Sequence, residues 1–244
     1  MPWRRELKHN ITDVVQLQAQ LGLNASETEQ LQELCEHFPM SITRHYLQQI
    51  DWSDPSDPIR KMCVPTFFEM DRSGTFDTSG EASNTVCEGV QHKYRESALV
   101  LTTNRCAMYC RHCFRKRLVG SSDEEIARSF FKVMDYVHDH KEISNVILSG
   151  GDALMLPTKT LSHYLFAFVE MEHLDLIRIA TRIPVVLPTR ITEDTELQDA
   201  LRSYGRKKQI YVVTQFNHPR ELTEESAAAL RILRECGTVV KNQT

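Results

Sequence analysis

Apolar and polar positions follow two different periods along this chain, and the change comes near residue 98. Before it the apolar residues recur at helical spacing. Val14, Val15, Leu17 and Leu21 form one run, and Thr12 is its predicted N-cap. A second run places Leu31, Leu34 and Cys35 on one face; Ser26 is read as its start, with Glu29 three residues on as in a capping box. Helices are therefore predicted within residues 8–50. The segment Trp52-Ser-Asp-Pro-Ser-Asp-Pro58 is a turn-rich joint, and residues 60–92, punctuated by Gly74, Gly80 and Gly89, predict an irregular extended stretch.

From residue 98 onward short apolar runs take over. Ala98–Thr103, Val146–Leu148, Leu176–Ala180, Gln209–Phe216 and Thr238–Asn242 predict five strands. Helical patterns lie between them: 122–138, with Asp123, Glu124 and Glu125 in its first turn, 158–170, a stretch from Thr192, and 223–236, stopped by Gly237. Strand and helix alternating with short links predict a parallel sheet with right-handed crossovers, and its chemistry at the C-terminal strand ends. The expected organisation is an α/β fold, with a helical and extended region over residues 1–92 and a βα unit over 93–244. Solenoid repeats and low-complexity tracts are absent from the sequence.

Composition narrows the classes. At 244 residues and 41% hydrophobic, the chain can bury a sizeable core. A net charge of -4 argues against nucleic acid as the main partner. No apolar stretch reaches the roughly 18 residues of a membrane span, and Met1-Pro-Trp-Arg-Arg5 leads into a polar run rather than a signal core. The seven cysteines are odd in number, and three crowd into Cys106–Cys113, unlike a disulfide scaffold. A reducing, cytoplasmic setting is expected.

Those three cysteines, Cys106, Cys110 and Cys113, follow the first strand with spacings of four and three. Thiolates so placed hold iron–sulfur clusters or zinc. Zinc needs a fourth ligand, and His112 is badly placed beside Cys113. A four-iron cluster held by three cysteines leaves one iron open to a substrate. Arg105, Arg111, Arg115, Lys116 and Arg117 are expected to lower thiolate pKa values and offset cluster charge. The spacing resembles the signature of the radical S-adenosylmethionine (SAM) superfamily, which implies a [4Fe-4S] cluster whose open iron is chelated by SAM.

Ser149-Gly150-Gly151-Asp152 ends the second strand; alone it is a bland turn as readily as a site. One βα unit after the cysteines, it resembles the segment with which that superfamily holds the methionine amino group. His218, after the fourth strand, is either a polar wall of the site or a satisfied strand-end histidine. Arg182 and Arg190 are read either as anion binders or, the preferred reading for Arg182, as surface ion-pair residues.

Taken together, Trp3–Thr12, Asp54–Lys61, His92–Tyr94, Cys106–Gly120, Leu148–Leu154, Thr181–Thr192, Phe216–Pro219 and Asn242-Gln243 resemble the lysine 2,3-aminomutases in order along the chain. The resemblance implies a partial (β/α) radical SAM barrel behind an N-terminal helical region, and three cofactors: the cluster, SAM and pyridoxal 5′-phosphate (PLP). It implies an isomerase moving the α-amino group of an amino acid, L-lysine foremost, to the β carbon through a 5′-deoxyadenosyl radical and a PLP aldimine. Glutamate and arginine are the substrates of other members. By position, Cys106, Cys110 and Cys113 match the cluster ligands; Ser149, Gly150, Gly151 and Asp152 match the SAM segment; Arg115 matches the arginine for the substrate carboxylate; and Lys93 and Gln243 match contacts to the PLP phosphate. Ser97 stands where the family usually has a second phosphate-binding arginine, removing a positive charge. The family's PLP lysine and acidic substrate-reading residues lie beyond residue 244, so the barrel is read as cut short after about five strands, and the chain alone is expected to associate and to carry no internal PLP aldimine. The implied partners are a small amino acid, an electron donor such as flavodoxin or ferredoxin, and further copies in a homo-oligomer, with no nucleic acid or membrane. The alternatives are a radical SAM protein that has abandoned PLP, and an inactive product that at most binds a metal.

Overall fold

The computed structural model describes residues 2–71 and 73–243; Met1, Arg72 and Thr244 lie outside the described residues. Its sheet has seven strands: β1 (Thr85–Cys87), β2 (Val90–Tyr94), β3 (Ser97–Thr103), β4 (Asn145–Gly150), β5 (Leu176–Ala180), β6 (Gln209–Thr214) and β7 (Val239–Asn242). Neighbours in the sheet are neighbours in the chain throughout. β3 to β7 are parallel, as the apolar runs predict, whereas β1, β2 and β3 pair antiparallel.

The hairpin of β1 and β2 corrects the reading of residues 60–92 as irregular, and it straddles the boundary at residue 92. Gly89 makes it: with φ +80, a Cβ there would lie 2.3 Å from the Ala127 backbone. That loop also explains a shortened helix. Ala127 N donates to Leu101 O at 2.9 Å, and Ile126 is buried with Leu101 and Leu118, so residues 122–129 are held in turns. The acidic run 123–125 lies in those turns, and the helix starts only after Ser129, as α2 below.

The main helices are α1 (Ala25–His37), α2 (Phe130–Asp139), α3 (Thr158–Val169), α4 (Thr195–Gly205) and α5 (Glu224–Glu235). The capping box of α1 is Asn24 with Glu27, two residues before the pair read from sequence; Asp13, not Thr12, caps the turn at Val14–Leu17; and Asp194, not Thr192, caps α4. A helix at Pro2–Leu7 was not foreseen. Side chains alternate along the strands. Ala98, Val100, Val146, Leu148, Ile177, Ile179, Ile210 and Val212 are fully buried. Ser97, Leu99, Ile147, Arg178 and Tyr211 face the other way, with Leu99, Ile147, Arg178 and Tyr211 side by side in register. No helix among the described residues is long and apolar enough to cross a membrane.

One buried ion pair anchors the N-terminal helix to the turn before α4. Arg190 is fully buried and pairs with Asp194, while donating to Leu154 O at 2.9 Å and Leu156 O at 3.2 Å. Trp3 Nε1 donates to Asp194 Oδ2 at 3.1 Å, 191 residues away in sequence. Burial pushes the Arg190 guanidinium down to about 10, against the pull of Asp194. Arg190 is thus a core residue rather than an anion binder. Asp194→Ala is expected to cost about 3–5 kcal/mol, because it leaves a buried charge unpaired, as a fall in the urea midpoint would report.

Candidate active site

The cysteine segment leaves the C-terminal end of β3 and is braced by the N-terminal region. Tyr109 N donates to Ser41 O at 3.0 Å, Arg111 N to Met62 O at 2.9 Å, and Asn10 Nδ2 to Ala107 O at 2.8 Å. The buried Arg111 side chain donates to Pro39 O at 3.0 Å and pairs with Glu69 at 2.7 Å; Lys116 pairs with the same Glu69. These contacts fix the loop's path from both sides.

β4 ends against that loop. Gly150 has φ +117, and a Cβ there would lie 2.3 Å from Thr103 O; one on Gly151 would lie 2.4 Å from Arg105 O. Only glycine lets β4 approach the backbone that leads into Cys106. Gly151 N donates to Thr103 O at 2.5 Å, and Asp152 N to Arg105 O at 2.9 Å. The Asp152 carboxylate accepts from Thr181 Oγ1 at 2.6 Å, Arg182 N at 2.7 Å and Leu154 N at 3.0 Å, clasping the ends of β4 and β5 together. Burial raises its pKa, and those three donors oppose the rise.

Cys106, Cys110, Cys113, Ser149, Gly150, Gly151, Asp152 and Arg115 all line one cleft of about 310 Å3, open to solvent, with Arg182 and Gln243 on its walls. The cysteines do not gather with any His, Cys, Asp or Glu into a single-ion site; none exists among the described residues. The thiol electrostatics differ from expectation. Burial pushes the Cys106 and Cys113 thiols up, and four of the five basic residues named above are already paired: Arg111 and Lys116 with Glu69, Arg115 and Arg117 with Glu81. Coordination itself would have to remove their protons.

Arg182 is the cation that does reach a cysteine. Its Nη1 donates to Cys110 Sγ at 2.7 Å, its Nη2 pairs with the fully buried Glu221 at 2.6 Å, and its Nε donates to Gln215 O at 3.1 Å. It is a cleft residue, not the surface ion-pair residue expected. Tyr46 Oη donates to the same Glu221 at 2.6 Å. His218 lies outside the cleft: it caps the turn Pro219–Glu221, its Nδ1 accepting from Arg220 N at 3.2 Å.

A second cleft of about 380 Å3 adjoins the first, lined by Lys93, Ser97, Glu81 and Tyr94. Arg115 and Gln243 line both clefts. Arg115 is buried; its Nε pairs with Glu81 at 2.7 Å and its Nη1 donates to Ser149 Oγ at 3.0 Å. Glu81 escaped notice in the sequence because it lies in the stretch without periodicity.

The family model of the radical SAM superfamily matches residues 100–242, and the chain belongs to that superfamily. Within it, the chain is 36% identical over 99% of its length to the L-lysine 2,3-aminomutase of Clostridium subterminale, and 37% over 99% to that of Methanococcus maripaludis. It is 35% identical over 99% to the glutamate 2,3-aminomutase of Clostridioides difficile. It spans 58%, 56% and 56% of the length of those three relatives.

Proposed function

We propose that this chain forms the cluster-, SAM- and substrate-binding part of an amino acid 2,3-aminomutase acting on L-lysine. The observation that carries the reading is Arg115, a buried guanidinium standing between the cysteine cleft and the second cleft. A substrate carboxylate held there would lie within reach of both.

Cys106, Cys110 and Cys113 would hold the cluster, the glycine edge of β4 would receive SAM, and Lys93, Ser97 and Gln243 would hold PLP. When bound, the cluster and SAM supply electron transfer and hydrogen abstraction, and PLP supplies a conjugated ring that spreads unpaired spin. The chain's own residues hold and orient. Glu81 fixes one edge of the Arg115 fork while Ser149 accepts from Nη1, so the guanidinium is pre-set before substrate arrives. The Asp152 clasp keeps the ends of β4 and β5 in register around the cleft. The cluster's electron would come from an external carrier such as flavodoxin or ferredoxin.

Arg115→Lys in the full-length protein is expected to cost about 2–4 kcal/mol in substrate binding or turnover while SAM binding changes little, because a point charge does not replace a bidentate fork. Equal losses for both ligands would place Arg115 in the support of the cluster region instead. The reaction itself is tested by anaerobic reconstitution with iron, sulfide, SAM, PLP and dithionite: β-lysine from lysine supports the reading, and β-glutamate from glutamate alone would move the substrate.

A further inference from the structure

Arg178 on β5 is half-buried and has no carboxylate partner among the described residues. Its Nη2 donates to Ser97 Oγ at 2.6 Å and to Asn145 Oδ1, both neutral, and its Nε finds no hydrogen-bond partner among the described residues. The other buried or half-buried arginines of the site, Arg111, Arg115, Arg117 and Arg182, each carry an acid. Desolvation is the one influence that shifts Arg178, and it lowers the pKa; no acid holds the charge in place. An uncompensated guanidinium inside a fold is costly unless something else supplies the negative charge.

Ser97 connects this cation to a cleft. It lines the second cleft, and its Oγ donates to Asn145 Oδ1 at 2.9 Å while accepting from Arg178. The hydroxyl proton can turn toward an anion in the cleft while the Arg178 bond stays in place. Across the cleft, Lys93 Nζ is bound only to Ser79 O at 3.3 Å, and Gln243 lies at the rim. The one acid lining this cleft, Glu81, is already shared by Arg115 and Arg117.

We propose that Arg178, acting through Ser97 and opposite Lys93, forms the cationic floor of a phosphate subsite in the second cleft. The ligand class is a phosphate monoester, and on the reading of the preceding section it is the phosphate of PLP. The charge that Ser97 lacks is thereby supplied from the neighbouring strand but one.

The test uses the full-length protein and two variants, Arg178→Met and Ser97→Asp. The second keeps Arg178 paired and places a fixed carboxylate where the anion would sit, and circular dichroism checks that each variant is folded. PLP and pyridoxal, which lacks the phosphate, are titrated by the absorbance of bound ligand, and inorganic phosphate is followed by thermal shift. Either variant should weaken PLP about tenfold or more, as expected for loss of a charge-assisted contact, leave pyridoxal within about twofold, and abolish stabilisation by phosphate. PLP binding by Ser97→Asp equal to wild type overturns the subsite. If wild type binds no PLP but is stabilised by phosphate, and the variants are not, the subsite stands and the cofactor reading falls. Absence of any phosphate effect in wild type, together with no PLP binding, overturns both.

Discussion

Cys110→Ser is expected to give a folded protein that retains no cluster iron after reconstitution and cleaves no SAM. Two thiolates cannot hold a four-iron cluster with one open corner, and serine is a poor ligand for iron in this role. The fold should survive, because Cys110 is half-buried in a loop whose path is set by backbone contacts to Ser41 and Met62 and by the Arg111–Glu69 pair. Cys106→Ser and Cys113→Ser should behave alike. Cys87→Ser serves as the control: Cys87 lies in β1, outside the cleft, and should keep full iron. Iron and sulfide analysis with the cluster's visible absorbance decides it. A Cys110→Ser protein with full iron and SAM cleavage would sink the assignment.

The next largest effect is expected at Gly150. Alanine there takes a positive φ of 117° and puts its Cβ against the Thr103 carbonyl, a backbone atom that cannot swing away. Strain and overpacking together should cost about 3 kcal/mol or more. Because the displaced backbone runs straight into Cys106, iron content should fall with stability. Gly237→Ala is the comparison. Its φ is also positive, at 83°, but nothing lies within 4 Å, so the loss should be about 1–2 kcal/mol with the cluster intact. Equal losses of stability and iron in the two variants would show that the close approach at Gly150 is unimportant.

The parallel strands were legible because fully buried strands read as short apolar runs, and Val146–Leu148 or Leu176–Ala180 leave little choice. The hairpin was not: β1 has an exposed, partly polar surface and β2 reads Val-Gln-His-Lys-Tyr, so neither carries an apolar signature. The cysteines and glycines were legible because their spacing is local. Arg182, Glu221 and Arg178 were not, because their roles depend on partners 33 to 175 residues away, such as Cys110, Gln215, Tyr46, Asn145 and Ser97. A lone arginine on a strand has no sequence feature that separates a cleft cation from a surface one. The shift of the capping residues at Asn24 and Asp194 has a simpler cause: several Ser, Thr, Asn and Asp residues compete within a few positions, and packing chooses among them.

Strand order that equals chain order has a consequence for how the molecule is made. Each new strand, from β2 to β7, finds its hydrogen-bonding partner already present on the ribosome-proximal side of the growing sheet. Co-translational folding can then proceed by accretion, without holding an edge open for a late arrival. Contacts of the N-terminal region are the exceptions: Trp3 must wait for Asp194, Asp57 for Arg220 and Tyr46 for Glu221. Until those residues have emerged the segments ahead of the sheet lack these partners, so their docking trails the growth of the sheet.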